Sequence, residues 1–284
     1  MDIDLEEEDS LSTRLQGGME RTDSALSRAD IAVIRFPRLS NYTDFHVLEK
    51  DGRACVRYVS RLSELGKPDL IILPGTKNTV EDMLWMRQNG LESAIKKKAA
   101  AGLPVWGICG GYQMMGEKLL DRDGTEGGKA GFCIAGMGLF PNVTVFRSEK
   151  TRTQVTGVFG RVSGIFSALS GKKVSGYEIH MGETCSEGDS GAKDISVYSR
   201  GESRYFLELR EKQLSGNGRK TDGICSGNLY GTYVHGIFDE PGIASGVIEA
   251  LLAGKGIAAE TSGECGRDYR AYRESQYDRL AGIL

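Results

Sequence analysis

Residues 107–113 read Gly-Ile-Cys-Gly-Gly-Tyr-Gln and follow directly on the apolar run Leu103-Pro104-Val105-Trp106. A strand that ends in Gly-x-Cys and turns through two glycines into a helix has the shape of a nucleophile elbow, which lifts one side chain out at the tip of a sheet. The same turn sets Cys109 at a helix N-terminus, where aligned peptide dipoles favour thiolate over thiol. Cys55, Cys133, Cys185, Cys225 and Cys265 lack this setting and read as small buried or surface thiols. The expected chemistry is attack by the Cys109 sulfur.

A thiolate needs a proton carrier. His235 closes the apolar run Asn228–Val234 and is followed by Gly236, which permits close approach. Alone, a histidine at a strand end is as well read as a hydrogen-bonded core residue; beside the elbow, an acid–base role is expected. Acyl transfer also needs donors for the developing oxyanion. Backbone N–H groups at Gly110 and near Gly75, in the Pro74-Gly75-Thr76 loop, are the candidates, although by spacing alone that loop is an ordinary turn between strand and helix.

These residues must be held by a sheet. Apolar runs at 31–36, 55–59 and 70–73 alternate with helical patterns at 80–87 and 91–101, the latter closed by Gly102. Such alternation predicts parallel βαβ units covered on both faces, with sites at the C-terminal ends of the strands. The runs near 31–36, 70–74 and 104–108 are expected to be parallel neighbours. After Gly116 the pattern changes. Segments 131–146, 154–168, 174–181, 194–199 and 204–209 read as antiparallel strands and hairpins, 183–222 as a polar surface excursion, and Pro241–Leu252 as a helix. Tyr269, Tyr272, Gln276 and Leu280 have helical spacing and suggest a terminal amphipathic helix.

The chain has 284 residues, 39% hydrophobic and 26% charged, enough for a full core. A net charge of −3 gives no electrostatic argument for nucleic acid or an anionic membrane. No apolar stretch approaches the roughly 18 residues of a membrane span. The acidic start, Asp2 to Asp9, is the opposite of a secretory leader, and the six scattered cysteines form no C-x-x-C pair. A cytoplasmic, reducing setting is expected. With only His46, His180 and His235 available, a zinc site would have to be scattered, so no metal is expected.

The chain also resembles a known family. Gly107-x-Cys109-x-Gly111-x-Gln113 is similar to the nucleophile motif of class I glutamine amidotransferases, and Leu73-Pro74-Gly75 to their oxyanion loop. Tyr230 to Gly236 (Tyr-Gly-Thr-Tyr-Val-His-Gly) is similar to the histidine motif of the cobyrinate-amidating branch. Within it, Arg35 to Phe45 (Arg-Phe-Pro-Arg-Leu-Ser-Asn-Tyr-Thr-Asp-Phe), Gly176 to Gly182 (Gly-Tyr-Glu-Ile-His-Met-Gly) and the acidic stretch Asp2–Leu11 resemble the cobyric acid synthase family.

This resemblance implies a flavodoxin-like α/β fold, with a central, mostly parallel sheet flanked by helices and added antiparallel strands in the second half. It implies hydrolysis of glutamine by Cys109 and His235, with Gly75 and Gly110 at the oxyanion hole and Gln113, His180 and Met181 lining the glutamine pocket. Ammonia would pass to an activated corrinoid carboxylate. Residues 1–29 would be a linker or remnant of a preceding ATP-binding domain, 30–255 the glutaminase domain and 256–284 a C-terminal extension. No cofactor is expected in this chain, which has no Gly-x-x-x-x-Gly-Lys-[Ser/Thr] loop; ATP and magnesium are expected in the synthetase domain, its partner. Another carboxylate acceptor, such as a cell-wall precursor, or a docking module with little turnover are the competing readings.

One departure stands out. The wider family carries Glu two residues after the histidine, where this chain has Ile237. The third member comes from elsewhere, with Asp239 and Glu240 near in sequence, or the site is a Cys–His dyad.

Overall fold

The computed structural model describes residues 28–126, 130–186, 205–211 and 219–258. The expected strand at 194–199, the terminal helix and almost all of the expected acidic linker lie outside the described residues. In chain order the elements are β1 (Ala29–Ile34), a 3-10 helix (Tyr42–Phe45), α1 (His46–Glu49), β2 (Ala54–Val59), α2 (Leu62–Leu65), β3 (Leu70–Leu73), α3 (Thr79–Gln88), α4 (Leu91–Ala100), β4 (Val105–Ile108) and α5 (Gly110–Met115). There follow β5 (Lys118–Asp121), β6 (Phe132–Ala135), β7 (Asn142–Phe159), a 3-10 helix (Gly164–Leu169), β8 (Lys173–Ser186), β9 (Leu207–Glu211), β10 (Arg219–Asp222), β11 (Ile224–Ser226), β12 (Leu229–Thr232) and α6 (Ile243–Gly254).

The runs Leu-Ile-Ile-Leu and Val-Trp-Gly-Ile have no polar face, which suits strands covered on both sides. They form β3 and β4 of a six-stranded sheet ordered β11-β12-β4-β3-β1-β2. Every pairing from β12 to β2 is parallel; only β11 runs antiparallel, at the edge. One face packs Ile71, Leu73 and Val105 against Val80, Met83 and Met86 of α3 and Leu91 and Ile95 of α4. The other packs Leu70, Ile72, Trp106 and Ile108 against Val247, Ile248 and Leu251 of α6 and Val155, Phe159 and Leu209 of the second sheet. The Trp106 ring meets Phe166, Phe206, Tyr230 and Phe238 at centroid distances of 5.1–5.6 Å.

The added strands make their own sheet, β10-β9-β7-β5-β6, with β8 also paired to β7. Three expectations change. β7 runs continuously through the gap expected between 146 and 154, its register against β8 shifting between Phe146 and Thr151. Residues 164–168, expected in a strand, lie in a 3-10 helix, Gly164–Leu169, that opens on Gly164 with φ +67°. There Phe166 and Leu169, three residues apart, both reach the core, as a three-residue turn allows. The described parts of 183–222 are also not all surface excursion. Leu207 and Leu209 of β9 are buried between exposed Glu208 and Arg210, the period-2 alternation of a half-buried strand.

Candidate active site

Gly231, Gly107 and Leu73 stand side by side in register across β12, β4 and β3. The residues that follow therefore leave the sheet at one edge: Tyr233 to His235, Cys109, and Pro74 to Thr76. The segment after β1 runs to the same place, for Leu39 bridges to Thr76 and the Ser40 N–H donates to the Gly75 carbonyl at 3.0 Å.

Cys109 sits between β4 and α5 with φ 50° and ψ −109°. It and Asn41 are the non-glycine residues with positive φ among those described. Such a backbone costs on the order of 1–3 kcal/mol and persists where its surroundings hold it. Here α5 lies directly on the strands. A Cβ on Gly107 would stand 2.6 Å from Met115 Sδ and 2.7 Å from Tyr112 Cα, and one on Gly111 would overlap the Leu73 carbonyl oxygen. The Gly111 N–H donates to the Pro74 carbonyl at 3.0 Å. α5 is only six residues long, so the macrodipole behind Cys109 is short and the near group that matters is His235.

The His235 ring is buried between two partners. Nδ1 lies 2.7 Å from Asp44 Oδ2, and the Gly236 N–H donates to Asp44 Oδ1 at 2.9 Å. The Cys109 side chain is the ring's second electrostatic partner. Burial pulls the imidazolium pKa down, but the negative charges of Asp44 and of a Cys109 thiolate outweigh it and push the ring up to about 10. Tyr177 stacks on His235 at 5.3 Å and exchanges a pair of backbone hydrogen bonds with it.

β8 crosses the elbow, with the Cys109 thiol 3.6 Å from the Ile179 carbonyl. His180 follows, stacked on Tyr233 at 3.9 Å, its Nδ1 2.8 Å from the Gly182 carbonyl. Burial holds this ring neutral, its pKa lowered to about 4. Met181, next along β8, is half-buried. Gln113 is buried with both ends of its amide engaged: Thr79 Oγ1 donates to Oε1 at 3.0 Å, and Nε2 donates to the Tyr233 hydroxyl at 3.3 Å. Tyr233 then lies 2.6 Å from Thr184 Oγ1, which lies 2.9 Å from Thr144 Oγ1. Gln113 thus belongs to a buried polar chain beneath the site.

The Pro74–Thr76 loop presses on Gly110. A Cβ on Gly110 would stand 2.6 Å from Thr76 Cγ2 and 3.2 Å from Thr76 N, and one on Gly75 2.9 Å from His235 Cε1. Thr76 Oγ1 donates to the buried Asp82 at 2.5 Å. Desolvation raises the Asp82 pKa against the pull of Thr76 and Arg38.

A sulfur, a buried imidazole and two backbone loops thus meet where a carbonyl carbon could be attacked. The CobB/CobQ-like glutamine amidotransferase domain matches residues 30–243. This chain belongs to that family. The cobyric acid synthase of Ruminiclostridium cellulolyticum is 48% identical to this chain, over 99% of the chain and 50% of the synthase's own length. That of Lachnoclostridium phytofermentans is 46% identical over 99% of this chain and 52% of its own. The chain spans about half the length of these curated relatives. Among solved structures, PurLQS from Thermotoga maritima is similar at 18% identity and a TM-score of 0.48, covering 80% of this chain and 97% of that one. No helix among the described residues is long and apolar enough to cross a membrane.

Two residues at the amidotransferase site carry no signal in local spacing. Asp44 is separated from His235 by 191 positions, and Tyr177 is one more aromatic on a strand. Neither neighbour proposed from sequence takes Nδ1. Glu240 accepts from Ser175 Oγ at 2.5 Å, and the Asp239 N–H donates to the Gly236 carbonyl at 3.0 Å. Asp44 does stand within the Arg35–Phe45 stretch that carried the family resemblance, and an acidic residue inside such a stretch was the available clue.

Proposed function

We propose that this amidotransferase domain is the glutamine-hydrolysing half of a cobyric acid synthase, releasing ammonia for ATP-dependent amidation of corrinoid carboxylates. The observation that carries the reading is the placement of Cys109 at the strained strand-to-helix junction on the sheet edge to which the buried, Asp44-held His235 also comes.

The Cys109 sulfur attacks the side-chain amide carbon of glutamine, and the oxyanion is received by the N–H groups of Gly75 and Gly110. His235 then gives its proton to the departing nitrogen, and ammonia leaves behind a γ-glutamyl thioester. Because the thiolate charge helps hold the His235 proton, its loss on attack makes the ring a stronger acid when the leaving group needs a proton. In the second half His235 takes a proton from water, hydroxide attacks the thioester, and collapse returns the thiolate and glutamate. Gln113, His180 and Met181 shape the glutamine pocket. ATP and magnesium belong to the synthetase half, which activates the acceptor carboxylate.

Ammonia release from glutamine tests the reading. It is expected to be weak in the chain alone, absent in Cys109→Ala, at least about 100-fold lower in His235→Ala through lost acid–base catalysis, and raised by adding the synthetase half. Amidation of cobyrinic acid diamide is expected only with that half and ATP. A chain that hydrolyses no glutamine even with the synthetase half present is a docking module, and the reading fails.

A further inference from the structure

We infer that Asp44 is the positioning residue for His235, doing from the far side of the sheet edge what a glutamate two residues after the histidine does in the wider family. The inference rests on the reading of Cys109 and His235 as the reacting pair.

The local alternative is closed by packing. Ile237 is fully buried among apolar residues that include Val234, Phe238 and Val247, so a carboxylate at 237 would be a desolvated charge in the core. Asp44, by contrast, has both oxygens committed to this loop: Oδ2 to Nδ1 of the ring and Oδ1 to the Gly236 N–H. Two-point attachment fixes the direction of the carboxylate as well as its distance. A carboxylate facing Nδ1 keeps the proton there in the neutral ring, which leaves the Nε2 lone pair free to take a proton.

The segment that carries Asp44 is built for this placement. Asn41 adopts φ 55°, a left-handed turn that Asn tolerates better than most residues, and leads into the 3-10 helix. The Asp44 N–H donates to the Asn41 carbonyl at 3.0 Å, and the neighbouring Phe45 is fully buried. Asn41 Nδ2 donates to the Tyr177 hydroxyl at 2.8 Å, and that ring covers His235. The Ser40 N–H is bound to the Gly75 carbonyl. One short stretch therefore holds the imidazole edge, the ring that stacks on it and the loop that would receive the oxyanion.

The test uses Asp44→Asn, Asp44→Ala and Asp44→Glu in the full 284-residue chain. In the unsubstituted protein, nitrogen NMR of labelled histidine should show His235 Nδ1 protonated at neutral pH and the ring titrating near 10. In Asp44→Asn the midpoint should fall by at least two pH units. The glutaminase kcat should fall on the order of 10³-fold or more with KM within about threefold, the scale seen when an orienting carboxylate is removed. Asp44→Glu should recover at least about tenfold of the lost kcat, which a merely structural role would not restore. An unprotonated Nδ1 in the unsubstituted chain overturns the inference even if no variant folds. So does a folded Asp44→Asn with an unmoved titration. The NMR readout needs no turnover, so a protein without glutaminase activity sinks the proposed function while leaving this test intact.

Discussion

The α-carbon of Gly111 lies so close to the carbonyl oxygen of Leu73 that a Cβ there would overlap it. That contact lets α5 settle onto β3 and β4 and turns the chain sharply at Cys109. The obstruction is backbone, not the end of a flexible side chain, so it has no easy way to yield. Gly111→Ala is expected to destabilise the domain by about 3 kcal/mol or to abolish folding, the upper range for overpacking. Urea unfolding checks it; a loss under about 1 kcal/mol would show that the helix slides at little cost.

Cys109 offers the reverse experiment. Its φ of 50° penalises any L side chain. Cys109→Gly should therefore be more stable than Cys109→Ala by roughly 1 kcal/mol, against the usual order in which glycine is the weaker residue. Both should be inactive. Equal stabilities in thermal melts would mean that the elbow is not strained.

His235 sets an alkaline limit. Its folded pKa is raised from 6.5 to about 10, so the stability it contributes is fully present below 6.5 and is lost as pH rises through 10. The melting temperature should decline from pH 7 to 10 more steeply than in His235→Gln. Indistinguishable slopes would show that the ring is not charged in the native state.

His180 acts at the other end. Its folded pKa is lowered from 6.5 to about 4 by burial, so the unfolded chain takes up a proton that the folded chain refuses. Stability from this group is present above 6.5 and lost as pH falls towards 4. His180→Phe, which keeps a ring against Tyr233, should flatten the melting curve over that interval. An unchanged acid limb would assign the loss to other groups.

The hydroxyl chain beneath the site predicts a stability effect of a different kind. Thr184 stands between the hydroxyls of Tyr233 and Thr144. Thr184→Val keeps the shape but leaves both neighbours short of a partner, at about 1–3 kcal/mol. A neutral result in chemical denaturation would mean that water replaces the hydroxyl.

Much of this was legible in the sequence. Parallel strands buried on both faces must be apolar throughout, and Leu70–Leu73 and Val105–Trp106 are. The elbow at Cys109 could be read from Gly107, Cys109 and Gly111 because it tolerates almost nothing but glycine at its close approaches. His235 was legible for a similar reason: it follows a buried strand closely, and Gly236, with φ +70°, comes after it. Each of these signals is local, since the steric demand and the residue that meets it are neighbours in the chain.

Other features were decided only by the folded chain. The continuity of β7 through 147–153 depends on pairing with β8, and the burial of Leu207 and Leu209 on a second sheet against which they pack. The carboxylate on His235 belongs to the same class. A hydrogen bond of 2.7 Å requires only that two groups meet in space, and nothing in the spacing from residue 44 to residue 235 encodes the meeting. The sequence by itself singled out the elbow at Cys109 and the histidine before Gly236; tertiary structure decided which carboxylate stands behind that ring, because the order β12-β4-β3-β1 brings the loop after β1 to the same sheet edge as the end of β12.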